Sequence, residues 1–196
     1  MFAKEMLSQD FLSSRRIARR DLIKIGAAGI AAAVIPFIPN SSAMAAAVNN
    51  NWRVSFRHQH TGESFSGIYR VGDRYLPEAF HRMNYVLRDY RSGDIFPMDP
   101  RVLDIIAVLQ NKTGSSQPLE VLSGYRCPKT NAMLREASRG VAKNSFHMYG
   151  QAMDIRLQGY STRKLHSLAE SLKAGGVGYY PRSNFVHVDT GTVRSW

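Results

Sequence analysis

Only one of the 196 residues, Cys127, carries a thiol. No intrachain disulfide can form, so the fold has to be held by packing. Acidic residues are scarce as well. Fifteen Asp and Glu stand against 26 Lys and Arg, giving a net charge of +11 and a pI of about 10.1. That balance favours an anionic partner, whether nucleic acid, acidic lipid or an acidic wall polymer, and does not choose among them. A nucleic-acid recognition motif is missing, which leaves charge alone to argue for that class. There is no internal repeat and no low-complexity tract. Nor is there an apolar run of about 20 residues, the length needed to span a bilayer. What remains, 44% hydrophobic and 21% charged residues, is ordinary globular composition.

The first 45 residues read as an export segment rather than as part of the fold. SRRIARRDLIK (14–24) is basic, and IGAAGIAAAVIPFIP (25–39) is apolar but only 15 residues long with two prolines. Ala43-Met44-Ala45 then fits an A-x-A cleavage signal. ARRDLIK (18–24) resembles the twin-arginine export signal, with Ala18 where serine or threonine is usual. The expectation is a signal peptide over 1–45, removed to leave a periplasmic domain over 46–196, and the twin-arginine export machinery as a partner. Removing six basic and three acidic residues leaves twenty and twelve, a net of +8 for the mature part. About 150 residues suffice for one packed core.

Within 46–196 the pattern predicts an α+β domain. WRVSF and SFSGIY flank a His-Thr-Gly-Glu turn and read as a hairpin over 52–70. Pro77 opens a helix expected to reach about Tyr90, and Asp99-Pro100 opens a second. LEVLSG (119–124) reads as a strand, 128–138 as a helix, and 161–174 as a helix capped by Ser161. QAMDIRL (151–157) alternates, with Ala152, Asp154 and Arg156 on one face and Met153, Ile155 and Leu157 on the other. GGVGYY and FVHVDT are strands around the turn PRSN. The expected architecture is a single domain with a small antiparallel sheet carrying the functional site and helices packed on it.

His147 precedes the alternating strand and Asp154 lies on it, with Gly150 permitting the turn between them. FVHVDT is expected to pair with this strand, which would bring His187 to the same place, on one face with Phe185 and Asp189. Two imidazoles and a carboxylate suit a zinc ion, with a position left open for catalysis. His58 and His60 flank Gln59 like a metal pair, but no third ligand is near in sequence, and they read as solvated histidines.

SFHMYGQAMD (145–154) matches the pattern S-x-H-x-x-G-x-A-x-D of the M15 family of zinc D-Ala-D-Ala metallopeptidases. SGYRCPKTN (123–131) and FVHVDTG (185–191) resemble flanking motifs of the exported branch of that family. The resemblance covers most of 52–196. It implies zinc held by His147, Asp154 and His187, and hydrolysis of an amide bond in peptidoglycan stem peptides or crosslinks. It further implies that Arg126 holds a substrate carboxylate or stabilises the oxyanion; a salt-bridging surface arginine is the alternative. Ser145 either donates a hydrogen bond in the site or fixes its loop. Two departures stand out. Many relatives hold a glutamate three residues before the last histidine or a histidine two before it, and here Asn184 and Phe185 occupy those places. Asp189 is then the nearest candidate for the base, although orienting His187 or capping the following turn would also explain it. Cys127 stands where relatives often have serine, and either reacts or lies quietly at a helix start. The alternative function is a zinc-containing wall-binding protein without catalysis.

Overall fold

Val54, Phe56 and His58 turn inward while Arg53 and Arg57 turn out, and this alternation forms strand β1 (Asn51–His58). The chain reverses through a loop in which Gly62 adopts a positive φ of 77° and donates to His58 O. It returns as β2 (Ser64–Val71), antiparallel to β1, followed by the short β3 (Arg74–Tyr75). The computed structural model describes residues 50–138 and 140–196. The expected export segment lies outside the described residues. Among the described residues no helix is long and apolar enough to cross a membrane.

Helix α1 (Pro77–Val86) starts at its proline, as expected, but stops four residues before Tyr90. Tertiary bonds outcompete the helical ones there. Leu87 O accepts from Tyr125 N–H at 2.8 Å, and Asp89 accepts from Cys127 N–H at 2.9 Å and Arg91 N–H at 3.0 Å. The close approach requires Gly124, whose Cβ, if present, would lie 2.5 Å from Leu87 O. Helix α2 (Pro100–Thr113) is capped by Asp99, which accepts from Arg101 N–H, and ends at Gly114 in the left-handed region.

Strand β4 (Leu119–Ser123) leads through Arg126 into α3 (Pro128–Ala137), where Cys127 is the capping residue, its buried sulfur accepting from Thr130 N–H. A 3-10 turn (Phe146–Tyr149) precedes β5 (Ala152–Arg156). Helix α4 (Thr162–Leu172), capped by Ser161, is followed by β6 (Gly176–Tyr180), β7 (Phe185–Asp189) and β8 (Arg194–Ser195).

The single-domain α+β class holds, but the sheet is neither small nor purely antiparallel. Eight strands run in the order β3-β2-β1-β4-β5-β7-β6-β8, with parallel junctions at β1/β4 and β6/β8. The β1/β4 junction joins the N-terminal hairpin to the rest. It also corrects the reading of His58, which is fully buried where it pairs with Val121, while His60 is exposed. His58 Nδ1 accepts from His60 N–H at 3.2 Å, and Nε2 has no partner.

One face of the sheet is the core. Met153, Ile155, Val177, Val186 and Val188 pack with Leu103, Ile106 and Leu165 of the helices. Each such side chain stabilises the fold by roughly 1.5–3 kcal/mol relative to exposure. The register of β5 and β7 follows, because a slip of one residue would drive Asp154 and His187 into this core.

Candidate metal centre

The opposite face of the central strands holds the polar residues. Asp154 of β5 is paired across the sheet with His187 of β7, and His187 in turn with Gly178 of β6. His147 arrives from the 3-10 turn. Ser145 Oγ accepts from His147 N–H at 3.4 Å and so starts that turn. Gly150 ends it at φ 64°, packed so tightly on Pro97 that a Cβ would lie 2.3 Å from Pro97 O.

His147 Nδ1 lies 2.7 Å from Gly124 O, which can only accept. Nδ1 therefore carries the proton, and Nε2 presents a lone pair 3.2 Å from Asp154 Oδ1. His187 Nδ1 is 2.8 Å from the same oxygen. Donor atoms of these three residues all lie within 4.8 Å of one another, and no other such group of three occurs among the described residues. Two imidazole nitrogens and one carboxylate oxygen, nearly all buried, match the donor set of a catalytic zinc site in number and kind. The residues fit the ion that the sequence implies.

The electrostatics are those of a tightly coupled cluster. Burial pushes the Asp154 carboxyl up, but the adjoining His147 and His187 outweigh it and hold the group well below the usual carboxylate range. Burial lowers His147. For His187 burial also acts downward, but hydrogen bonds to Asp154 and Asp189 win and raise it to about 9.

Arg126 reaches the cluster from the β4–α3 connection. Its Nη2 lies 3.7 Å from Asp154 and donates to Ser123 Oγ at 3.2 Å, while Nη1 donates to Asn131 at 3.4 Å. It is 9% exposed, and its Nε has no partner. It is not a surface arginine. Together with Ser145, Phe146, Tyr180, Phe185, Arg194 and Trp196 it lines a cleft of about 350 Å³ above His147, Asp154 and His187.

Asp189 sits behind His187 rather than in the cleft. It is fully buried, and its Oδ2 is 3.1 Å from His187 Nε2. A residue spacing of two along a strand is wide, yet these side chains lean together. Oδ1 accepts from Gly176 N–H, Gly191 N–H and Arg194, and Oδ2 accepts from Arg194 at 2.7 Å. Burial raises the carboxyl, but His187, Arg194 and the Gly191 amide outweigh it and keep it ionised. All its acceptor directions are engaged. Asn184 lies in the β6–β7 turn at φ 52°, hydrogen-bonded with Thr162 and away from the cleft. Asp154 is the one Asp or Glu side chain lining the cleft among the described residues.

Arg194 and Trp196 escaped the sequence reading. Their trace was the spacing of Gly176 and Gly178 on one face of β6. A Cβ at Gly176 would lie 2.3 Å from the Arg194 guanidinium, and one at Gly178 2.8 Å from the Trp196 indole.

Comparison with known proteins agrees with this geometry. A family profile described as peptidoglycan L,D-endopeptidase MepK, Peptidase_M15_2, matches residues 46–196. The chain is 41% identical over 179 residues to peptidoglycan L,D-endopeptidase MepK of Escherichia coli K12, covering 91% of this chain and 96% of that protein. It is 42% identical over 163 residues to the probable peptidoglycan L,D-endopeptidase MepK of Haemophilus influenzae Rd, covering 83% and 88%. With the His-Asp-His cluster and Arg126 in one cleft, the chain belongs to the M15_2 family of peptidases.

Proposed function

We propose that this protein is an exported, zinc-dependent peptidoglycan endopeptidase that cuts an amide bond in stem peptides or their crosslinks. The observation that carries the reading is the convergence of His147, Asp154 and His187 in an open cleft beside Arg126. The names of the relatives favour an L,D-bond.

His147 Nε2, His187 Nδ1 and an Asp154 oxygen would hold the ion. Zinc bound there supplies Lewis acidity for the scissile carbonyl and lowers the pKa of an attacking water. The other roles belong to the chain. Gly124 O fixes the tautomer of His147, and Asp189 does the same for His187 by accepting from Nε2–H, as an outer partner of a ligand histidine should. The engaged carboxylate of Asp189 argues for this orienting role over that of proton acceptor. Arg126, held by Ser123 and Asn131, presents a positive charge to a substrate carboxylate or to the developing oxyanion. Ser145 shapes the His147 turn.

The signal peptide over 1–45 and the periplasmic address remain part of the proposal. The family match beginning at residue 46 supports the boundary, and a +8 domain suits an acidic wall. Mapping the mature N-terminus after expression tests it, and a product retaining Met1 would count against cleavage.

The cleft has no second Asp or Glu side chain among its described residues, which favours one competing reading, a zinc-containing wall-binding protein without turnover. Digestion of purified sacculi with and without chelator, followed by product masses, separates the two. Chelator-sensitive release of uncrosslinked muropeptides is expected, and binding without release would establish the competitor.

A further inference from the structure

Helix α3 buries Thr130 and Asn131, and both are polar. Thr130 is explained locally, since its hydroxyl and its amide meet the capping sulfur of Cys127. Asn131 has no such local reason. Asparagine is a poor residue for a helix interior, and a buried amide left without partners destabilises the fold. Yet Asn131 is only 2% exposed, and its side-chain bonds all leave the helix.

That side chain joins two parts of the cleft wall. Nδ2 donates to Ala142 O at 3.1 Å and to Lys143 O at 3.3 Å, on the stretch that runs through Asn144 and Ser145 into the His147 turn. Oδ1 accepts from Arg126 Nη1 at 3.4 Å. Only this orientation of the amide pairs every group, because the two carbonyls can only accept and the guanidinium can only donate.

Arg126 is held from other sides as well. Its backbone N–H donates to His147 O at 3.1 Å, and its Nη2 donates to Ser123 Oγ at 3.2 Å. Against these bonds stands the pull of Asp154. Its Oδ1 faces His147 and His187, while its Oδ2 faces Arg126 Nη2 across 3.7 Å. That gap is too wide for a hydrogen bond, and a charge-assisted contact between such groups closes to about 2.7–2.9 Å. A guanidinium and a buried carboxylate thus stop short of pairing. Closure would tie up the positive charge that serves the cleft, and would engage Asp154 Oδ2 beside the proposed metal position.

We infer that Asn131 is a positioning residue: it aims the Arg126 guanidinium into the cleft and holds it off Asp154. A neutral acceptor suits this task. It fixes one nitrogen without cancelling the positive charge, which stays available to substrate. The use of that charge rests on the peptidase reading above, whereas the separation from Asp154 does not depend on it.

The test is a double-mutant cycle between Asn131 and Arg126, read by muropeptide cleavage and by zinc titration against a competing chelator. Asn131→Ala should lower kcat/KM at least about fivefold and zinc affinity at least about threefold, because the guanidinium can then close on Asp154. In the Arg126→Ala background the same substitution should change either quantity by less than about twofold. Asn131→Asp keeps the volume and reverses the pull. Its carboxylate draws Arg126 away from Asp154 and neutralises it, so kcat/KM should fall while zinc affinity holds. Both variants lose the bonds to Ala142 and Lys143, so a difference in zinc affinity between them isolates the guanidinium. Equal losses with and without Arg126 would overturn the inference, since they describe a residue that only supports 142–145. So would wild-type turnover and zinc affinity in Asn131→Ala, or an aspartate variant that weakens zinc as alanine does. If Asn131→Ala does not fold, the isosteric aspartate variant decides by the same two readouts. If the wild-type enzyme cuts nothing, the peptidase reading fails, and the zinc titrations across the cycle still decide whether Asn131 holds Arg126 off Asp154.

Discussion

Replacing Asp189 with asparagine separates the two roles open to it. The carboxylate accepts from His187 Nε2–H on one oxygen and from two backbone amides on the other, with Arg194 bridging both. Asparagine keeps the shape and one acceptor oxygen. If that oxygen stays with Gly176 and Gly191, the amide NH2 faces His187 and Arg194, donor against donor. His187 then loses the acceptor that fixes its Nε2–H and so directs Nδ1 toward the proposed metal position. Losing such a partner weakens metal binding by about ten- to a hundredfold, or about 1.4–2.7 kcal/mol. The charge-assisted bonds lost should lower stability by about 1–3 kcal/mol. Arg194 adds little to this, since its side chain is 38% exposed and screened. The assay is a zinc titration against a competing chelator, alongside sacculus digestion at saturating zinc. The expected result is weakened zinc affinity, with most activity restored by excess metal. Wild-type affinity with a hundredfold loss of turnover would refute this reasoning and make Asp189 the proton acceptor.

Three further outcomes follow. Elemental analysis of protein purified without added metal should find close to one zinc per chain, and His147→Ala and His187→Ala should each lose most of it; full occupancy in both would remove the three-residue site. Arg126→Ala should lower turnover at least about tenfold with zinc retained, whereas loss of folding would make the arginine structural. His58 is lowered from 6.5 to about 4, first by burial and then by His60, with Glu63 opposing and Arg88 adding. It stays neutral in the fold, so its contribution is complete above pH 6.5 and is lost as pH falls toward 4. The loss is up to about 3 kcal/mol. Urea melts at pH 7 and pH 4 should show a smaller acid-induced loss in His58→Phe, and equal losses would show that His58 titrates normally.

The core of the site could be read from sequence because its determinants are local. The alternation in 151–157 fixed which side chains share a face with Asp154, and the paired strand brought His187 to it. Contacts distant in sequence could not be read in this way. Helix α1 stops at Val86 because Tyr125 and Cys127 supply bonds to the next residues from nearly 40 positions away. His58 looked exposed because the parallel partner that buries it, β4, follows more than 60 residues later. The role of Asp189 stayed open because nothing in FVHVDT reveals the Arg194 guanidinium and the Gly176 amide that hold it against His187. Asn184 and Phe185, the two departures from the family pattern, proved to be a turn residue and a cleft wall.

Asp154 and His187 belong to β5 and β7, each of which has a hydrogen-bonded neighbour on both sides. Strands so placed are among the last parts of a fold to open. His147 is tied to the neighbouring β4–α3 connection through Gly124. An ion entering the proposed site would thus meet side chains already fixed in place, with little ordering entropy left to lose, and could leave through the cleft without any strand separating. Loading and release of metal should therefore proceed on the timescale of ligand exchange, independent of global unfolding, in a protein that keeps its shape when stripped.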